Sequence, residues 1–116
     1  DGDFLMGNTA VWTAVHYRIP CLMIICNNQS YYNDERHQER IAIARGRPAE
    51  NRWIGQRIDG PDIDLAAMAR AQGALAIGPV TAGPDLTAAV ARGVATVQAG
   101  GVCVIDVRVL PGYDAE

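Results

Sequence analysis

Residues 20–31 read P-C-L-M-I-I-C-N-N-Q-S-Y, an unbroken apolar run that stops at two asparagines. Continuous apolarity is typical of a strand that is covered on both faces, as in a parallel sheet between helices. Asparagine is disfavoured in strands, and its amide is costly to bury without hydrogen-bond partners. The stretch therefore predicts a buried strand over residues 21–26, followed at its carboxyl end by a polar feature, Asn27 and Asn28.

Helical and strand patterns alternate on either side of this strand. Asn8 or Thr9 can cap a first helix that ends before Pro20, because apolar residues at 11, 12 and 15 follow helical spacing. A short polar helix is expected over residues 31–40. Residues 44–60 have no period and several Gly and Pro residues, so we expect a long loop there. Such a loop either closes over a site as a lid or contacts a partner domain.

The second half of the chain continues the alternation. Asp62 is expected to cap a helix, after which residues 74–77 form a short strand. A further helix beginning at Pro84 precedes the last strand, over residues 102–109. Alternating helices and strands predict an α/β fold: a doubly wound, mostly parallel sheet with helices on both faces. We expect one domain over residues 1–116.

The composition excludes several classes of protein. A net charge of −3 and a pI of about 5.3 argue against a nucleic-acid binder. No apolar run is long enough to cross a bilayer, so we expect no membrane partner. Six of the arginines lie between residues 36 and 57, interleaved with acidic residues. A solvated surface of mixed charge is therefore favoured there over a phosphate-binding patch.

The three cysteines, Cys21, Cys26 and Cys103, lie in apolar, strand-like runs and fit no zinc-binding spacing. We expect them to be small buried hydrophobic residues of a protein in a reducing compartment, the cytoplasm. His16 lies at the end of a helix in mid-domain, and we expect it to be structural.

Two polar features are expected to meet at one edge of the sheet. Ligands of open α/β sheets bind beyond the carboxyl ends of strands, where Asn28 lies. Asp1-Gly2-Asp3 directly precedes the first helix, which is expected to bring Asp1 and Asn28 onto neighbouring strand ends. A carboxylate, an amide oxygen and a loop carbonyl suit Mg²⁺ with a bound phosphate, which Gly2 would let approach the backbone. The alternative is that both features are ordinary turns.

Residues 1–31 also resemble the thiamine diphosphate signature, in which G-D-G is followed, after a helix and a strand, by N-N. Here the match starts at the central aspartate, D-G-D-F-L-M-G-N-T-A, and continues through I-P-C-L-M-I-I-C-N-N-Q-S-Y. The chain is similar, from residue 1 to about residue 110, to the diphosphate-binding domain of thiamine diphosphate enzymes. It looks like this domain in the group that includes acetolactate synthase, benzoylformate decarboxylase and benzaldehyde lyase. We therefore expect an N-terminally truncated fragment of a longer multi-domain chain.

The resemblance implies a metal site and a cofactor site. Mg²⁺ would be bound by the carboxylate of Asp1, the side-chain oxygen of Asn28 and the main-chain oxygen of Ser30, while Asn27 holds the loop. Thiamine diphosphate would lie against Gly2 and Asp3 through backbone amides. Asp3 departs from the serine or alanine that is common in the family at this position.

Residues after the asparagines are the other candidates for the site. Tyr31 either packs beside the diphosphate or is a simple core aromatic. The helix that follows faces the reacting carbon in such enzymes, so Asn33, Asp34 and His37 are candidates for the substrate pocket. The alternative is that they form a polar helix face.

The resemblance further implies an enzyme that decarboxylates or ligates a small 2-oxo acid. The glutamate that activates the cofactor belongs to a separate pyrimidine-binding domain, of the same or a neighbouring subunit, in a homodimer or homotetramer. No residue of this chain matches that glutamate, so the fragment alone is expected to be inactive. A second hypothesis is a non-catalytic domain of a split or degenerate relative, which binds the cofactor or a partner. A nucleotide-binding domain is disfavoured, because the chain contains neither GxGxxG nor GxxxxGK[ST].

Overall fold

The computed structural model describes residues 1–112. Within this range the chain forms helices and three strands in a largely alternating order. They are α1 (Gly2–Gly7), α2 (Ala10–His16), β1 (Cys21–Asn27), α3 (Tyr32–Ala44), α4 (Leu65–Ala71), β2 (Leu75–Val80), α5 (Gly83–Gln98) and β3 (Val102–Arg108). None of the helices in residues 1–112 combines the length and the apolar character that a membrane span requires.

The three strands form a parallel sheet in the order β1-β3-β2. The register pairs Cys21 with Val102 and Asn27 with Arg108, so β1 and β3 end at the same level. The carboxyl ends of these two strands therefore form one edge of the sheet, as the parallel arrangement predicts.

Helices cover both faces of the sheet, which confirms the predicted doubly wound α/β fold. On one face, α2 and α4 pack their buried residues against Ile25 and Val104. On the other face, α5 packs against Cys103, Ile105 and Val107. Central strand β3 is buried from residue 102 to residue 107, because helices lie on both sides of it.

The prediction that β1 is buried on both faces is wrong for its second half. Ile24 is 48% exposed, and Cys26 is exposed as well. Both side chains point to the face covered by α5, since they alternate with Ile25 on the opposite face. Helix α5 reaches this strand at Leu22, whose Cδ1 lies 2.7 Å from where a side chain at Gly93 would begin. Farther along that face of β1, Ile24 and Cys26 remain exposed.

The prediction of three buried cysteines is therefore wrong in part. Cys103 in the central strand is fully buried, and burial raises the pKa of its thiol. Cys21 is half-buried and Cys26 is exposed. Their apolar neighbours in sequence do not distinguish a central strand from a strand that is only partly covered.

Several helix boundaries differ from the prediction. An additional helix, α1, begins at Gly2, since Asp1 Oδ1 accepts a hydrogen bond from the Gly2 amide. Thr9 occupies the cap position of α2 without a side-chain hydrogen bond, whereas Asn8 donates to the carbonyl of Leu5. Helix α3 continues to Ala44, four residues beyond the predicted end.

The cap of α4 is Asp64 and not Asp62. Asp64 Oδ1 accepts from the amide of Ala67 at 2.7 Å, which satisfies one of the free amides of the first turn. The carboxylate of Asp62 is used elsewhere, by Gln29 at 2.6 Å and by Arg108 at 3.4 Å. Asp62 thus joins the turn after β1 to the end of β3.

Candidate functional site

A cavity of about 410 Å³ opens where β1 ends and α1 begins. It contains every site residue that the sequence predicts except His37. Its lining residues are Asp1, Gly2, Asp3, Cys26, Asn28, Ser30, Tyr31, Tyr32, Asn33, Asp34, Val109, Leu110 and Gly112. His37 lines a separate groove of about 330 Å³ along α3, together with Ile41 and Arg45. The structure thus does not place His37 with the other predicted pocket residues.

Asp1 brings a carboxylate to the end of β1. Its main-chain nitrogen donates to the carbonyl of Cys26 at 3.3 Å, which ties the start of α1 to the strand. Oδ1 accepts from the Gly2 amide at 2.9 Å, so this amide is directed to the carboxylate. Oδ2 is buried and has no hydrogen-bond partner among residues 1–112. A buried carboxylate oxygen without a partner is costly, and a cation in the cavity would remove that cost.

The two asparagines have different roles in the turn. Asn27 is buried, and its Nδ2 donates to Asp106 Oδ1 at 2.9 Å, across to the central strand. Its Oδ1 accepts from the amide of Gln29 at 3.2 Å. Asn28 lines the cavity, and its Oδ1 accepts from the amide of Ser30 at 3.1 Å. An amide oxygen has two lone pairs, so Asn28 keeps capacity for a second ligand.

Gln29, between Asn28 and Ser30, adopts a left-handed conformation with φ of 57°. This region is uncommon for residues other than glycine and is occupied at turns that neighbouring contacts hold in place. The conformation reverses the chain immediately after β1 and places residues 28 and 30 on the cavity. Side-chain oxygens of the Asn pair close the turn by bonding amides two residues on.

Tyr31 packs directly against Gly2. Its hydroxyl donates to the Gly2 carbonyl at 3.3 Å, and a Cβ added at Gly2 would lie 2.6 Å from the ring carbon Cζ. Glycine is therefore required at this position for the ring to lie over the start of α1. Tyr31 is half-buried and lines the cavity, so it is not a simple core aromatic, and packing beside a diphosphate stays a prediction.

Asn33 and Asp34 lie in the first turn of α3 with their side chains exposed at the cavity. Asp34 and Asp3 add carboxylates to the lining, which also includes the apolar Val109 and Leu110. Within residues 1–112, no three His, Cys, Asp or Glu side chains are arranged to hold a metal ion. A metal in this cavity would therefore rely on amide and main-chain oxygens as well as on Asp1, which suits Mg²⁺.

Two features of the site were missed in the sequence. Asp106 interrupts the apolar run V-C-V-I-D-V, and this interruption is the signal that could have identified it as a partner of Asn27. Glu35 is buried and accepts hydrogen bonds from Ser30 Oγ and from Arg57 Nε, the latter at 2.5 Å. Burial alone would raise the pKa of Glu35, but the bonds from Arg57 and Ser30 hold that pKa below its ordinary value.

A family model described as "Thiamine pyrophosphate enzyme, C-terminal TPP binding domain" matches residues 1–107. The match includes all three strands up to Val107 and all of the cavity lining except Val109, Leu110 and Gly112. Comparisons with curated proteins and with solved structures give no match.

Proposed function

This chain belongs to the family of C-terminal thiamine pyrophosphate-binding domains, and on that premise we propose that it binds thiamine diphosphate through Mg²⁺ in a 2-oxo acid decarboxylase or carboligase. The observation that carries the proposal is the buried, unpartnered Oδ2 of Asp1 in a cavity shared with Asn28 and Ser30. No hydrogen-bond partner for Oδ2 lies within residues 1–112.

The metal would be held by three oxygens of different kinds. Asp1 would supply the charged oxygen, Asn28 its amide oxygen and Ser30 its main-chain carbonyl. Mg²⁺ prefers few protein ligands, with water and phosphate oxygens completing its octahedron, so three ligands at the mouth of a cavity are sufficient. One protein carboxylate leaves positive charge on the metal to attract the diphosphate. This charge also offsets the repulsion of the diphosphate by the other acidic residues of the lining.

The cofactor would lie between the start of α1 and the turn after β1. The amide of Asp3 remains a candidate for the diphosphate, whereas the amide of Gly2 is engaged by Asp1 Oδ1. Gly2 contributes instead by its lack of a side chain, which leaves room for the ring of Tyr31. When bound, thiamine diphosphate supplies the electron sink that cleavage next to the carbonyl of a 2-oxo acid requires.

Substrate contacts would come from Asn33 and Asp34, which lie on the cavity at the start of α3. An amide can hold the carboxylate of a 2-oxo acid, and a carboxyl group can exchange a proton with the developing product. Val109 and Leu110 line the same cavity and add apolar surface to it. The reaction type would depend on what reaches the former carbonyl carbon of the 2-oxo acid once carbon dioxide has left. Protonation of that carbon would give an aldehyde, and its addition to a second carbonyl compound would give a 2-hydroxy ketone.

The activating glutamate would be supplied by a pyrimidine-binding domain of the same or a neighbouring subunit of a homodimer or homotetramer. The glutamates near the site have other partners here: Glu35 is paired with Arg57, and Glu39 with Arg36 and Arg52. Both are thus engaged within the domain. This supports an active site completed by another domain.

The experiment is calorimetry of thiamine diphosphate binding to the full-length gene product, with Mg²⁺ and with EDTA. We expect binding that requires Mg²⁺. Asp1→Asn should weaken this binding by roughly 10- to 100-fold or more, because losing a residue that only supports a metal ligand already costs that much. Asp85→Asn is the matched control, because Asp85 is an exposed carboxylate outside the cavity. Equal affinity in both variants would refute the metal assignment.

A product assay on the same protein separates the reaction types. Pyruvate and benzoylformate are supplied with cofactor and Mg²⁺, and products are identified by chromatography. Aldehyde alone indicates a decarboxylase, and a 2-hydroxy ketone indicates a carboligase. Tight binding with no turnover of either 2-oxo acid would favour the non-catalytic alternative.

A further inference from the structure

The first turn of α3 places a carboxylate inside the protein. Glu35 has no accessible surface, and both of its oxygens are engaged. Arg57 donates through Nε to Oε1 at 2.5 Å and through Nη2 to Oε2 at 3.2 Å, and Ser30 Oγ also donates to Oε1. Burying a carboxylate costs free energy even when it is paired. A buried pair therefore indicates a structural or functional role more strongly than an exposed pair does.

Arg57 also joins the long loop between α3 and α4 to the turn after β1. The amide of Tyr31 donates to the carbonyl of Gln56, and the amide of Ile58 donates to the carbonyl of Gln29, both at 2.8 Å. Ser30 and Arg57 thus face each other as an isolated antiparallel pair. Neither of the two flanking bonds uses the carbonyl oxygen of Ser30.

The consequence is that the turn is held from outside the motif that forms it. Two backbone hydrogen bonds hold its main chain, and Glu35 accepts a hydrogen bond from the side chain of Ser30. Gln29, in its left-handed conformation, lies in the segment that these bonds hold, and such a conformation persists when surrounding contacts determine it. Mg²⁺ requires near-ideal octahedral geometry, so displacement of one ligand by a fraction of an ångström weakens binding.

We propose that Glu35 and Arg57 are positioning residues that hold Asn28 and Ser30 in the geometry needed to bind Mg²⁺. The role rests on the proposed function of the cavity and goes beyond it, since neither residue lines the cavity or would touch the metal. The long loop contributes to the metal site through Arg57, in addition to any role as a lid or partner contact.

The chain contains a matched control for this pair. Arg52 and Glu39 also connect the loop to α3, with Nη1 and Oε1 3.5 Å apart. The side chain of Arg52 is 41% exposed, close to the 38% of Arg57, but Glu39 contacts neither asparagine nor Ser30 in the described hydrogen bonds. Arg57→Met and Arg52→Met therefore each remove an ion pair between the same two segments, the first at the turn with a buried glutamate and the second away from the turn with a more exposed one.

The experiment measures the Mg²⁺ concentration that half-saturates thiamine diphosphate binding in the full-length protein. Arg57→Met is expected to raise it about 10- to 100-fold, the range for an outer-shell partner, and Arg52→Met to leave it within about twofold. Binding capacity at saturating Mg²⁺ should stay at the wild-type value in both. A loss of folded protein would instead lower the capacity and leave the half-saturation point unchanged.

Two further measurements keep the proposal testable if Arg57→Met folds poorly. Glu35→Gln preserves shape and is expected to raise the half-saturating Mg²⁺ by a smaller factor in the same direction. Hydrogen exchange without ligand should speed up at the amides of Ser30 and Tyr31 in Arg57→Met but not in Arg52→Met. If neither Arg57→Met nor Glu35→Gln changes the half-saturating Mg²⁺ concentration, the positioning role is overturned. Failure of the wild-type protein to bind thiamine diphosphate would refute the proposed function, and amide exchange would then decide alone whether Arg57 holds the turn.

Discussion

A methyl group at Gly2 should disrupt the start of α1. Gly2 is buried, and an added Cβ would lie 2.6 Å from Cζ and 2.7 Å from Cδ1 of Tyr31. Carbon atoms of residues that are not bonded to each other do not approach so closely, so either the tyrosine ring or the helix must move. Movement of the ring also lengthens the 3.3 Å hydrogen bond from the Tyr31 hydroxyl to the Gly2 carbonyl. Gly2→Ala therefore has a specific steric cost.

The size of that cost can be isolated with a control in the same helix. Overpacking of this kind typically costs about 1–3 kcal/mol. Alanine also gains up to about 1 kcal/mol over glycine in a helix, which partly masks the clash. Gly7 ends α1, is exposed and has nothing within 4 Å of an added Cβ, so Gly7→Ala should show the helical gain alone. The difference between the two variants should be about 1–3 kcal/mol, with Gly2→Ala the less stable.

Urea unfolding of the full-length protein measures this difference, provided that the slopes of the two variants agree. Tyr31→Ala supplies the decisive comparison, because it removes the ring that the methyl group would meet. In that background Gly2→Ala and Gly7→Ala should change the free energy of unfolding by the same amount. If the penalty persists without the ring, or if the two alanine variants are equally stable in the wild-type background, the packing explanation is wrong.

Three other outcomes follow from the structure. Cys26, which is exposed at the cavity, should react with maleimide, and thiamine diphosphate with Mg²⁺ should protect it. Buried Cys103 should react only after unfolding. Equal labelling of Cys26 with and without ligand would place the cofactor elsewhere. Asn27→Ala leaves the buried Oδ1 of Asp106 without its donor, which should lower the unfolding free energy by about 1–3 kcal/mol in urea titrations, and a neutral result would contradict this bond. Because the folded-state pKa of Glu35 lies below its ordinary value of 4.5, its contribution is fully present above that pH and is lost as the pH falls through the folded value. Unfolding free energies measured in acid should thus decline less steeply in Glu35→Gln than in wild type.

The features that the sequence predicts well are those with a local signal. The apolar run ending in Asn27 and Asn28 identifies both a strand and the position of the cavity, because the carboxyl end of a parallel strand is where ligands bind. Alternation of helical and strand patterns similarly predicts helices on both faces, which the two separate cores confirm. In each case the evidence lies within a few residues.

Features that depend on distant partners could not be read in the same way. Asp62 and Asp64 are equally good caps by composition, and the choice is made by Gln29 and Arg108, which engage Asp62 from two other parts of the chain. Strand order is also not encoded in an apolar run, so the exposure of Ile24 in β1 was not predictable from its neighbours. Local propensity is overridden by tertiary contacts in both cases.

The mixed-charge segment gives the clearest example. Interleaved arginines and acidic residues over 36–57 predict a solvated surface, and Arg36, Arg52 and Glu39 agree with that prediction. Glu35 and Arg57 are 22 positions apart, and only the folded loop brings the partly exposed Arg57 onto the buried carboxylate of Glu35. A charge pattern cannot indicate which of several similar pairs is desolvated.

The proposed metal ligands and the residues that hold them lie in different parts of the chain. The motif over residues 1–31 contains all the proposed metal ligands, yet the groups that hold its turn lie outside it. Asp106 holds Asn27 from the central strand, and Glu35 with Arg57 holds Ser30 from the helix and the loop. If these remote contacts set the ligand geometry, the motif transferred to another α/β domain should bind Mg²⁺ and diphosphate weakly until its three supports are transferred with it. Ligand identity is thus a local property of this sequence, while affinity is a property of the whole fold.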